Sequence, residues 1–342
     1  MLTIPLIKNE RAQKVVRTIA GVGIAFAIIL TVLSYSLLTS KTLLLQSIDS
    51  SVRNISSEIN NRPFPISVDP QNKSITRNPE TEIYLASYSH SQNIQAGRWF
   101  QQIQRHVISL PWYQNLASPT SRIVIIYPGE RKEQIAEKTA RIFNWSDNDK
   151  EKFLHLATNT DPALPDGILF PNRYLVPVNA SPEYIITIIT ERFNREVRDR
   201  YTTDIAAKLP LRDTLTLASM IDRETSNYEE MRIISGIMWN RMFIDMPLQI
   251  DATLQFVRQK EEETDSWWPA PRPQDKFTDS PFNTYINQGL PPSPIANPGL
   301  TSILAALNPV ETDCLFYLHD RAGRFYCSKT YEEHLQLIGI HY

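Results

Sequence analysis

TLTLASMIDRET, residues 214–225, reads as a helix with a single apolar arc. With Leu217 set at zero and about 100° per residue, Ala218, Met220 and Ile221 fall on one broad side. Glu224 lies inside that arc, about 20° from Leu217, whereas Asp222 falls at its far edge. A carboxylate among apolar neighbours loses hydration, which raises its pKa and lets it carry a proton near neutral pH. Glu224 is therefore the candidate general acid, and Asp222, on the same regular helix, cannot share a substrate atom with it. The plainer alternative is a structural bridge from Glu224 to Arg232 or Arg241, because a helical glutamate is usually structural.

Downstream, Ile233, Ile234, Ile237 and Met238 form an apolar helical face that closes on Asn240 and Arg241. MPLQIDAT (246–253) then presents Gln249, Asp251 and Thr253, and DSPFNTYINQGLPPSPIANPG (279–299) presents Asn283 and Tyr285 before a stiff Leu290-Pro291-Pro292 wall. Amide and hydroxyl groups in such loops suit sugar hydroxyls and N-acetyl groups. Asn297-Pro298 reads as the cap of a helix over 301–307. Between these blocks, 259–276 is charged and carries Trp267 and Trp268, which either stack on a sugar or pack against their own loop. CLFYLHDRAGRFYC (314–327) reads as a hairpin. A turn centred on Asp320-Arg321 would oppose Cys314 and Cys327 directly, and a one-residue change of register would separate them. A disulfide in an oxidising exterior and a pair of small buried thiols both fit.

Upstream, residues 18–40 carry no charge and are rich in Ile, Leu, Val and Ala, after Lys8, Arg11, Lys14 and Arg17. A helix of about 20 such residues crosses a bilayer core. The flanking charges predict a cytoplasmic 1–17, a transmembrane helix over 18–40 and an exported remainder, which places the chain in the cytoplasmic membrane as a single-pass protein. A cleaved signal peptide with Ser34-Tyr35-Ser36 as its site is the alternative, but the run exceeds a usual signal core of roughly 7–15 residues. Residues 41–120 mix polar stretches with short apolar pieces, show no clear repeat, and read as a stalk with a poorly defined small domain. RIVIIY (122–127), two helical patterns and GILFPNRYLVP (167–177) predict a strand-helix-helix-strand unit over 121–180 of the LysM kind. A connecting helix over 181–208 leads to a last domain, 209–342. The fold class is thus α+β: an N-terminal transmembrane helix, a small LysM-like βααβ module and a mixed α/β catalytic domain. A formal net charge of -2 with both signs interspersed offers no footprint for nucleic acid. Two cysteines without a matching histidine cluster do not read as zinc ligands.

LASMIDRETSN, NRMFIDMPLQIDAT, DSPFNTYINQGLPPSPIANPG, AALNPVETDCLFYL and FYCSKTYEEH, spanning 217–334, resemble in content and order the YceG-like family of endolytic murein transglycosylases. The resemblance implies Glu224 as acid/base. It also implies a cleft lined by Asn240, Gln249, Asp251, Asn283, Thr284, Tyr285 and Leu290, to which Thr253 is added from its place in the loop. Asp222 and Ser293 depart from the family pattern, and the region before Arg122 matches poorly. The implied substrate is the peptidoglycan glycan strand and the implied partners are peptidoglycan synthases, the penicillin-binding proteins; no metal or organic cofactor is required.

Most glycosidases use two carboxylates, and the sequence offers one well-placed carboxylate without an obvious partner. A lytic transglycosylase accounts for this. Glu224 would protonate the leaving oxygen, the N-acetyl group would support C1, and the muramoyl 6-hydroxyl would replace water. Two other classes stand beside it: a wall-binding scaffold without catalysis, and a hydrolase using Asp251 as partner. A pyridoxal-phosphate lyase is disfavoured, since no lysine site is evident.

Overall fold

The structure is a computed structural model that describes residues 62–92, 120–161, 164, 166–262 and 266–341, with isolated positions between 18 and 31. The chain divides into Met1–Ser56 and Ser57–Tyr342. The expected transmembrane helix requires correction. A crossing needs about 20 apolar residues in one helix, and among the described residues no helix is long and apolar enough to cross a membrane. Residues 1–17 and most of 18–40 lie outside the described residues.

Within 41–120, the described residues 62–92 pack on the main core. A short antiparallel pair, β1 (Val68–Asp69) and β2 (Ser74–Ile75), precedes helix α1 (Pro79–Gln92). Phe64, Val68 and Leu85 are buried in the main core. The backbone is tied in by Phe64 N to Arg200 O (3.1 Å) and Ser67 N to Leu307 O (3.0 Å).

Next comes the strand-helix-helix-strand unit. β3 (Ser121–Ile125) pairs antiparallel with β4 (Arg173–Pro177), with Ile123 opposite Leu175, and between them lie α2 (Lys132–Phe143) and α3 (Asp147–Asn159). The chain turns between the helices because Asn144 takes a left-handed φ of 52° and Ser146 forms a capping box with Asp149. Val124, Ile135, Phe153 and Val176 fill the unit's own core, which α4 (Pro182–Glu196) completes with Ile185 and Ile189. Arg131, the residue capping α2, is buried, with its guanidinium 4.4 Å from the Phe256 ring centre and 5.7 Å from that of Trp268. Arg223 lies 4.0 Å from Trp268 on its own account. Trp268 thus packs against arginines and takes no place in the cavity described below.

After α5 (Thr203–Lys208), α6 (Leu211–Glu224) runs through the middle of the largest core. Every residue from Thr214 to Ile221 is buried, so the helix is enclosed on all sides and not only along its apolar arc. Its polar members are satisfied internally: Thr216 Oγ1 donates to Arg212 O (2.8 Å), and Ser219 Oγ donates to Thr216 O (2.7 Å) and accepts from Ile295 N (3.0 Å). Around it pack α7 (Tyr228–Phe243), α8 (Asp251–Glu262) and α9 (Leu300–Leu307). A hairpin of β5 (Phe316–His319) and β6 (Phe325–Ser328) and a terminal helix α10 (Tyr331–His341) follow.

Asn297 does not cap α9, contrary to the reading of Asn297-Pro298. Its buried side chain accepts from Leu169 N (2.9 Å) and donates to Glu130 O (2.9 Å), joining two distant loops. The start of α9 is held by Asp222, whose Oδ2 accepts from Gly299 N (2.7 Å) and from Ser302 Oγ (2.9 Å). Burial pushes this carboxyl from its ordinary 3.8 up to about 7, against the opposing effect of the Gly299 and Ser302 bonds and the Arg223 charge. Its buried Oδ1 has no partner and is the natural seat of the proton. Between pH 4 and 7 the folded chain thus holds a proton that the unfolded chain has released. Stability falls as pH rises across that window, by at most about 1.4 kcal/mol per pH unit. Asp222→Asn is expected to flatten that fall in denaturant titrations at pH 4, 5.5 and 7; a slope equal to that of the unsubstituted chain would refute the assignment.

The two cysteines are bonded, with Cα atoms 5.9 Å apart. The expected register is nevertheless wrong: Cys327 opposes Tyr317, and Cys314 lies before β5. The turn is longer than a two-residue one because Asp320 Oδ1 accepts from both Ala322 N and Arg324 N (2.9 Å each) and Gly323 takes a φ of +76°. The bond therefore closes on the segment entering the hairpin rather than across a directly opposed pair.

Candidate active site

Glu224 is the last residue of α6. Thr225 leaves the helix in an extended conformation, and its hydroxyl donates to Glu230 Oε2 (2.6 Å), while Asn227 caps α7 through the amides of Glu229 and Glu230. This reversal holds the Glu224 side chain at a helix C-terminus, where the helix dipole disfavours a negative charge. Tyr317, on β5, donates its hydroxyl to Glu224 Oε2 at 2.8 Å. Burial raises the Glu224 carboxyl above its ordinary value and the Asp251 charge adds to this, while the Tyr317 bond, His319 and Arg223 hold it back. Burial and the Glu224 charge in turn keep the Tyr317 phenol well above its ordinary value, so it remains a donor. His319 Nε2 lies 3.3 Å from Glu230 Oε2, which is how the turn after α6 meets the hairpin.

Glu224 opens into a cavity of about 940 Å³, a volume suited to a ligand of several rings. On the wall formed by 246–251 and 276–285 are Gln249, Asp251, Lys276 and Tyr285; on the hairpin and α10 are Phe316, Tyr317, His319, Tyr331 and His334. Tyr285 donates to Asp251 Oδ1 at 2.5 Å, and burial raises its phenol well above the ordinary value. Gln249 sits at a left-handed φ of 54°, with its amide donating to Thr284 O (2.9 Å), which aims this loop at the cavity.

The cavity therefore gathers Glu224, Gln249, Asp251 and Tyr285 from the residues expected on sequence grounds, and not the other five. Asn240 donates to the carbonyls of Thr312 (2.7 Å) and Cys314 (3.1 Å). Thr253 and Thr284 are buried and bonded to each other at 2.9 Å, with Ile250 N donating to Thr284 Oγ1 (3.0 Å). Asn283, also buried, gives its amide to Thr278 O (2.8 Å) and Lys276 O (3.2 Å) and accepts from Tyr285 N (2.9 Å). Leu290 packs on the core. The four polar ones hold the segments around the cavity in place, because a buried polar group needs a partner and the neighbouring chain supplies one, and Leu290 does so by packing.

Neither arginine bridges Glu224. Arg232 makes a forked pair with Glu82 (2.6 and 2.9 Å) and donates to Asn308 O (3.0 Å), whereas Arg241 donates to the carbonyls of Leu315, Pro247 and Leu248. Sequence reasoning missed Tyr317 and His319. Their alternation on one strand of the hairpin was a usable sign, since residues two apart share a face.

The YceG-like family model matches residues 59–339. The chain is 35% identical over 172 residues to an endolytic murein transglycosylase of Bacillus subtilis, a match covering 49% of this chain and 46% of that protein. It is 28% identical over 177 residues to an endolytic murein transglycosylase of Streptococcus pneumoniae, covering 52% of this chain and 32% of that protein. The chain thus spans less than half the length of these curated relatives. Among solved structures, a putative YceG-like protein of Listeria monocytogenes matches with a TM-score of 0.53 and 26% identity, over 81% of this chain and 98% of that one. The family match runs from the segment before β1 into α10, through every element that builds the cavity, and the chain belongs to the YceG-like family.

Proposed function

We propose that this chain is an endolytic lytic transglycosylase that cleaves the bond from N-acetylmuramic acid to N-acetylglucosamine in peptidoglycan strands and leaves 1,6-anhydro-muramoyl ends. The observation that carries this reading is a carboxyl of raised pKa, Glu224, aimed into a large cavity with one oxygen held by Tyr317. The tyrosine bond on Oε2 leaves Oε1 to give the proton to the departing glycosidic oxygen and then to take one from the 6-hydroxyl. The family and the names of the relatives support the substrate class. The Cys314–Cys327 bond supports an oxidising, extracytoplasmic setting for the domain, and thiol labelling that finds both cysteines reactive after denaturation would remove that support. Peptidoglycan synthases are the partners proposed from the family resemblance, to be tested by affinity capture from wall-synthesising cells.

The reaction itself is tested by digesting purified glycan strands in ¹⁸O-labelled water. Anhydro ends without label are expected, and labelled reducing ends would replace this reading with a hydrolase. Tyr317→Phe provides a second check. Losing the phenol removes an interaction that favours the ionised carboxylate, so the alkaline limb of the kcat/KM profile should move to higher pH. The rate at the optimum should fall by roughly tenfold. An unchanged pH profile would show that the bond does not act on Glu224.

A further inference from the structure

Glu224 is not alone in the cavity. Asp251, the first residue of α8, lines the same space and is close enough for its charge to act on Glu224. The two carboxylates are held alike: Tyr317 donates to Glu224 Oε2 at 2.8 Å, and Tyr285 donates to Asp251 Oδ1 at 2.5 Å. Each keeps one oxygen engaged by a phenol, and among the described residues neither Glu224 Oε1 nor Asp251 Oδ2 has a hydrogen-bond partner. A second cavity carboxylate can serve as a nucleophile, as a base for water, or as an acceptor for a substrate N–H. The lytic transglycosylase reading has no use for a nucleophilic carboxylate or for an activated water, so the task it leaves to the open Oδ2 is that of an acceptor.

We propose that Asp251 accepts on Oδ2 the N–H of the 2-acetamido group of the sugar whose glycosidic bond breaks, and turns the acetamido carbonyl oxygen toward C1. This rests on the lytic transglycosylase reading. In the first step the carbonyl oxygen bonds to C1 as the bond from C1 to the leaving oxygen breaks, and Glu224 gives its proton to that oxygen. The acetamido group becomes an oxazolinium cation, whose charge lies beside the Asp251 carboxylate. In the second step Glu224 takes the proton of the 6-hydroxyl, O6 bonds to C1, and the bond between C1 and the acetamido oxygen breaks. The acetamide is restored, the anhydro ring is closed, and neither water nor cofactor is consumed.

Asp251→Asn tests the assignment. Its amide oxygen can still accept from Tyr285, but its NH₂ then meets the substrate N–H donor to donor. The expected loss is about 10²- to 10³-fold in kcat, the scale for removing one charge-stabilising group, with KM little changed. N-acetylmuramic acid thiazoline, a stable mimic of the oxazolinium ion, should bind the unsubstituted protein and Glu224→Gln at least about tenfold more tightly than Asp251→Asn. A substrate-side test does not depend on the variant folding: strands stripped of their N-acetyl groups should resist the unsubstituted protein. Equal thiazoline binding, an undiminished Asp251→Asn rate, or full cleavage of de-N-acetylated strands would each overturn the role of Asp251 while leaving anhydro products to stand. Labelled reducing ends from the unsubstituted protein would instead overturn the transglycosylase reading beneath it.

Discussion

Glu224→Gln is expected to leave the chain folded and to slow strand cleavage by about 10⁴-fold or more. A positioned general acid or base contributes about 10² to 10⁴-fold, and here one carboxyl is asked to serve in both roles in turn. The amide keeps the size of the side chain, and its oxygen can still accept from Tyr317, so the hairpin loses no contact. It removes the transferable proton and nothing else of consequence. Anhydro ends counted against time, beside circular dichroism and thermal melting of the same preparation, provide the check. Cleavage within tenfold of the unsubstituted rate would move the catalytic role elsewhere in the cavity.

Gly236→Ala is expected to destabilise the chain by about 2–3 kcal/mol and to lower its Tm by roughly 5–10 °C. In an exposed helix interior the same change would stabilise by about 1 kcal/mol, so the sign is itself the test. Gly236 lies on α7, facing the extended segment that leads from α9 to the hairpin, and a Cβ there would sit 2.2 Å from Val310 O and 3.1 Å from Thr312 Cγ2. The segment cannot withdraw cheaply. Val310 N donates to Arg232 O (3.0 Å), Arg232 Nε donates to Asn308 O (3.0 Å), and Asn240 Nδ2 donates to Thr312 O (2.7 Å), so the segment is held about one helical turn before and one after Gly236 along the same face of α7. Because this segment runs on to Cys314 and Tyr317, displacing it should also reduce cleavage. Chemical denaturation that shows Gly236→Ala as stable as the unsubstituted chain would mean that the segment yields more easily than its hydrogen bonds suggest.

The residues that the sequence could identify by itself are those whose meaning is local. The helix carrying Glu224 and the strand-helix-helix-strand order of 121–177 follow from periodicity and turn residues, which act within a few neighbouring positions, and the blocks over 217–334 carry a resemblance that is itself a property of the sequence. Asp222 likewise faces away from Glu224 because one helix cannot point both carboxylates at one atom. Tertiary structure decided which polar loop residues face the cavity. Asn240, Thr253, Asn283 and Thr284 carry amides and hydroxyls as Gln249 and Tyr285 do, but other groups of the folded chain claim them: the Thr312 carbonyl takes Asn240, Thr253 and Thr284 bond each other, Ile250 N bonds Thr284, and the Thr278 carbonyl takes Asn283. That claim arises only once the loops are buried and every polar group needs a partner. The same holds for Tyr317, which meets Glu224 from 93 residues away through a hairpin whose register was set by Asp320 and Gly323 rather than by the cysteines. A register shift exchanges strand partners without changing any local propensity, and for that reason the second half of the site became visible only in the folded chain.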